Sequence, residues 1–170
     1  MWENKLSEIF VPTTGKHQNE AAFVSLSVRS TLDLYFQSRK FPRGSEIIMT
    51  GINIGDMIKI IEEHGLIPVP IDLDPYTMAP SLNQLRAATT SRTKACLFAY
   101  LYGVTYEIDQ YVDFLKSKNI EILEDCAQSW RGLDTFRGNK NALMTMFSFG
   151  SIKYNTAFYG AVTIVREKAP

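Results

Sequence analysis

No run of the sequence comes near the roughly 18 consecutive apolar residues that a bilayer-spanning helix needs. The opening stretch, Met1 to Glu8, is charged and lacks the apolar centre of a signal peptide. Charge of one sign is missing too. Eighteen basic side chains face 18 acidic ones, so no field draws nucleic acid and no acidic tail forms. Cysteine is scarce, and Cys96 and Cys126 sit in apolar runs without metal-ligand spacing. They read as small buried hydrophobes in a reducing compartment. Internal repeats and low-complexity tracts are absent, and no Gly-x-Gly-x-x-Gly follows a strand, which argues against a nicotinamide-binding domain. A soluble, cytoplasmic protein with no membrane, nucleic-acid or metal partner is expected.

What is present is a large apolar fraction, 45%, with ten Phe and eight Tyr, enough for one sizeable core in 170 residues. Short β-branched runs alternate with helical patterns. Strands are expected over Glu46–Met49, Ile67–Ile71, Lys94–Tyr100, Ile120–Glu124, Leu143–Phe149 and Ala161–Val165. Their near-continuous apolar character is that of parallel strands covered on both faces. Helices are expected over Glu20–Ser38, Asp56–His64, Ser81–Ala88 (capped by Ser81) and Tyr106–Lys118. This alternation predicts an α/β fold with a parallel sheet, whose ligands sit outside the carboxyl ends of the strands.

Two strand exits carry candidate chemistry. The first delivers Asp125 after Ile120–Glu124, with Gln128 three residues on. Asp-x-x-Gln is a helix capping box; it is equally a carboxylate held in a crevice to pair with a buried cation such as a pyridinium nitrogen. The second runs through Ser148, turns at Gly150 and Ser151, and reaches Lys153, the one charged side chain between residues 141 and 165. A lone lysine can be merely solvated. Among Ile152, Tyr154, Phe158 and Tyr159 it can instead be desolvated, which frees its amine as a nucleophile. Ser148 is either a turn residue or an anion-holding hydroxyl.

At these residues the sequence resembles the DegT/DnrJ/EryC1/StrS family of pyridoxal-phosphate (PLP) dependent sugar aminotransferases. Six elements match in order between Asn19 and Arg166: Gly44-Ser45-Glu46-Ile47-Ile48, Ile71-Asp72-Leu73-Asp74-Pro75, Arg92-Thr93-Lys94-Ala95, Leu101-Tyr102-Gly103, Glu124–Gln128 and Phe147–Lys153. The resemblance implies an aspartate-aminotransferase-like large domain (PLP fold type I). Its mostly parallel sheet is flanked by helices, and residues 1–18 form an N-terminal arm ahead of a PLP-binding domain over 19–170. It implies Lys153 as the catalytic Schiff-base lysine and proton carrier, Asp125 as partner of the pyridine nitrogen, Gln128 near the ring oxygen or the Schiff-base region and Ser148 on the cofactor phosphate. Arg29 and Ser30 stand at a helix start where the family binds phosphate; Arg29 is equally a surface helix residue.

Three departures accompany the match. Val28-Arg29 replaces the usual Gly-Thr. The ring-stacking aromatic falls near Asn53 or Ile54, which offer no π face. Phe158-Tyr159-Gly160-Ala161 replaces a Gly-Glu-Gly-Gly run. Relatives are implied to be about twice as long, with a small C-terminal domain that is missing here, and to be homodimers that share their sites. The implied reaction is amino transfer from an amino acid to a keto-sugar nucleotide. Dehydratases of the family carry histidine in place of the lysine. The competing expectation is a non-catalytic module that keeps the PLP fold for dimerisation or scaffolding.

Overall fold

The computed structural model describes residues 20–132 and 135–166. The expected N-terminal arm, residues 1–18, lies outside them. Among the described residues seven strands form one sheet: β1 (Glu20–Ser25), β2 (Glu46–Thr50), β3 (Ile67–Ile71), β4 (Thr93–Ala99), β5 (Glu121–Asp125), β6 (Met144–Ser148) and β7 (Ala161–Arg166). Their order is β1-β7-β6-β5-β4-β2-β3. The helices are α1 (Val28–Arg39), α2 (Gly55–Glu63), α3 (Leu82–Ala88) and α4 (Asp109–Ser117). Strands β3, β2, β4, β5 and β6 are mutually parallel, while β7 runs antiparallel between β6 and β1. The sheet is mostly parallel and flanked by helices, as expected from the alternation of elements.

Period-two alternation splits the core into two layers. On one face Ile47, Met49, Leu97, Leu123 and Met146 pack under α1 and α2, against Leu32, Phe36, Met57 and Ile61. On the other, Ile48, Phe98, Ile122 and Phe147 meet Leu85, Tyr111 and Leu115 of α3 and α4. Burial on both faces explains why these strands read as continuous apolar runs. β3 is an edge strand, which is where Pro68 and Pro70 are tolerated, since each lacks a ladder donor.

The helix expected over Glu20–Ser38 is a correction. Its first third is β1, hydrogen-bonded to β7 from Glu20↔Arg166 to Ser25↔Ala161. Among the described residues the strand partner of Glu20–Ser25 is β7, 136 to 146 positions further along the chain, so local apolar crowding could not reveal it. Helix α1 starts at Val28, where Ser27 Oγ accepts from the Ser30 N–H at 3.1 Å. The helix expected from Tyr106 begins at Asp109; Tyr106 instead packs its ring against Tyr100 at 4.7 Å. Ser81 does precede α3, but its hydroxyl makes no capping bond.

Candidate functional site

The carboxyl edge of the sheet is built by register. Leu123, Met146 and Leu97 lie under α1 and α2, so Asp125, Ser148 and Ala99, each two residues on, project on that same face. Ala99 pairs with Asp125 and Asp125 with Met146. Ser148 pairs with Ala161 and Ala161 with Ser25. From Ser25 the chain turns into α1. One edge of one face therefore carries a small alanine, a carboxylate, a hydroxyl and a helix N-terminus, on strands about 4.8 Å apart.

Asp125 is buried. Burial pushes its carboxyl up from the ordinary value; the Ala127 N–H, which donates to Oδ1 at 3.0 Å, and the positive charge of Lys153 oppose the rise. Lys153, 28 positions later in the chain, is thus near enough for its charge to be felt at Asp125. The capping reading of Asp-x-x-Gln is overturned: no helix follows Asp125, and a turn does instead. Gln128 reaches away from the strand, its Oε1 accepting from the Tyr102 N–H at 2.7 Å. Tyr102 and Gly103 both take left-handed backbone, φ 55° and 76°, so the Leu-Tyr-Gly turn is what aims that N–H.

Lys153 is half-buried in the loop from β6 to β7, its N–H donating to the Gly150 carbonyl at 2.9 Å. The expected apolar wrapping is a correction. Ile152, Tyr154, Phe158 and Tyr159 are 75–100% exposed and point outward, because the strands beneath already fill both core layers. Ser148 is half-buried and its Oγ accepts from the Gly150 N–H at 3.4 Å. Ser30 lies in the first turn of α1 with its hydroxyl 3.0 Å from that of Ser27. Arg29 is exposed and ion-pairs with Asp56 at 2.8 Å, joining the first turns of α1 and α2.

The neighbouring Glu124 points to the opposite face and is fully buried. It accepts from Tyr100 Oη (2.7 Å), Thr145 Oγ1 (2.7 Å) and the Asn139 N–H (2.9 Å). Burial raises its carboxyl, and these bonds together with the Arg166 charge counter the rise. Glu124 was legible in the sequence only as a charged residue inside a largely apolar strand. A cleft of about 500 Å³ lies at the other edge of the sheet, between Thr89–Thr93 and Lys118–Glu121, away from these residues. No group of three or more His, Cys, Asp or Glu among the described residues is placed to hold a metal.

The sequence profile of the DegT/DnrJ/EryC1/StrS aminotransferase family matches residues 14–169. This chain belongs to that family. GDP-perosamine synthase of Escherichia coli O157:H7 is 26% identical over 165 residues, 96% of this chain and 41% of that protein. The L-glutamine:2-deoxy-scyllo-inosose aminotransferase of Streptomyces lividus is 30% identical over 127 residues, 73% of this chain and 30% of that one. Among solved structures, E. coli GDP-4-keto-6-deoxy-D-mannose-3-dehydratase with bound hydrated PLP superposes with a TM-score of 0.79 at 20% identity, over 98% of this chain and 43% of that one. The chain thus spans about two-fifths or less of the relatives it matches. Its residues fit the family's cofactor, PLP. A carboxylate destabilised by burial gains from a ring cation, and an amine, a hydroxyl and a helix N-terminus share its edge.

Proposed function

We propose that residues 19–170 form the cofactor-binding domain of a PLP-dependent aminotransferase that moves an amino group from an amino acid to a nucleotide-linked keto sugar. One observation carries this reading: the buried Asp125 ends β5, and the half-buried Lys153 stands in the loop that leaves the neighbouring β6, so both lie at the carboxyl edge of the same sheet. PLP, when bound, supplies an electron sink for the charge that develops at the amino-bearing carbon. Asp125 holds the proton-bearing ring nitrogen. Lys153 would hold the cofactor through Nζ and would carry a proton at that atom. Gln128, fixed by Tyr102, would lie near the ring, while Ser148 and the first turn of α1, with Ser30, would hold the phosphate. Arg29 serves that group only by leaving Asp56. The relatives include proteins named as aminotransferases and a dehydratase, and a lysine at position 153 favours amino transfer, since the resemblance assigns histidine to dehydratases.

The test is direct. Protein mixed with PLP, reduced with borohydride and digested should yield a pyridoxyl label on the peptide containing Lys153, and Lys153→Ala should yield none. A label elsewhere, or an undiminished one in Lys153→Ala, overturns the assignment. Glutamate added to loaded protein should release 2-oxoglutarate. Labelling without amino transfer would favour the non-catalytic PLP-fold module.

A homodimer belongs to the same proposal. Leu26 (82% exposed), whose carbonyl accepts from the Gly160 N–H, joins Ile152, Tyr154, Phe158 and Tyr159 in an exposed apolar patch beside the site. A patch of this kind is what a second copy covers. The free, buried thiols of Cys96 and Cys126 suit a cytoplasmic location.

A further inference from the structure

The loop Gly51–Ile54 leaves β2 at the same edge as Asp125 and climbs into α2 on the α1 side of the sheet. The ion pair between Arg29 and Asp56 holds the first turns of α1 and α2 together, and Asn53 sits three residues before Asp56. Its Oδ1 is engaged, accepting from the Ile54 N–H at 2.9 Å. Its Nδ2 is buried and has no hydrogen-bond partner among the described residues. An orphaned buried donor is uncommon in folded proteins and marks a place where an acceptor belongs. Two helix N-termini stand beside it, each carrying partial positive charge and free amides, so the acceptor that suits the place is an anionic oxygen. Arg29, the cation that the sequence offered for this purpose, is already neutralised by Asp56.

We propose that Asn53 Nδ2 donates a hydrogen bond to the phosphate group of bound PLP. The proposal rests on the cofactor reading above and gives position 53 a polar task where the family resemblance leads one to look for a stacking ring. A hydrogen bond to a charged group sets the scale of the effect. Removing it should weaken PLP binding about ten- to a hundred-fold.

The experiment compares PLP with pyridoxal, which has the ring and carbonyl but no phosphate. The full chain is titrated with each and binding is followed by absorbance. Asn53→Ala should weaken PLP binding by that factor and leave pyridoxal binding unchanged. Asn53→Asp, nearly isosteric and expected to fold even if the alanine variant does not, should weaken PLP binding further by setting a carboxylate against the phosphate. If either folded variant binds PLP as the parent does, or loses PLP and pyridoxal equally, the proposal is overturned while the cofactor reading stands. If the parent protein, with Asn53 intact, forms no reducible adduct at Lys153 with either compound, the cofactor reading fails and this proposal with it.

Discussion

Adjacent carboxylates on β5 serve opposite faces of the sheet. Asp125 faces α1 and α2, and Glu124 is locked into a network with Tyr100, Thr145 and Asn139. Gly138 closes over that network at φ 86°, and a side chain there would collide with Thr145 and Glu124. Removing the Glu124 carboxyl would leave two buried donors and a part-buried one without that acceptor, so Glu124→Ala should cost about 3 kcal/mol in urea unfolding. The pH dependence has a definite sign. Both carboxyls are raised in the folded state, whereas in the unfolded chain they titrate near the ordinary value of about 4. Their contribution to stability is therefore complete below about pH 4 and is lost as pH rises through the raised values. Glu124→Gln, which cannot ionise, should gain on the parent protein as pH rises above about 4 and stop gaining once the pH has passed the raised value. A pH-independent difference between the two would show that Glu124 titrates alike in both states.

Among the elements, α1 matters most to the site because its N-terminus faces the edge that carries Asp125 and Ser148. Its position depends on Ser27 at one end and on Leu32 and Phe36 beneath it. Ser27→Ala removes the cap and should cost about 1 kcal/mol. Leu32→Ala, at a site with no exposure, should cost about 3 kcal/mol through lost burial and a residual cavity. Equilibrium unfolding in urea separates the two. Equal losses would mean that α1 is held by its packing less than the core layer indicates. The loop between β6 and β7 is the contrasting element. It presents Lys153 inward while its large apolar side chains stay in solvent, and only another surface can relieve that exposure.

For the whole molecule, the exposed apolar patch predicts association. Sedimentation should show a dimer, and Ile152→Asp combined with Tyr154→Asp should shift it to monomer while leaving the circular dichroism unchanged. A monomeric parent protein would remove the homodimer from the proposal. No helix among the described residues is long and apolar enough to cross a membrane. The sequence by itself determined the parallel core: short, largely apolar runs such as Glu46–Met49, Lys94–Tyr100 and Ile120–Glu124, alternating with helical patterns, admit few other places. It also singled out Asp125, Ser148 and Lys153: each has an ordinary structural reading alone, but their order along the chain, at the exits of successive strands, matches the family's elements. The tertiary structure alone decided the rest. β1 exists only because β7 offers it a ladder, Arg29 is committed only because α2 brings Asp56 beside it, and Asn53 is left without a partner only where two helix starts meet. Each of these depends on contacts between distant parts of the chain, and local periodicity carries no information about them.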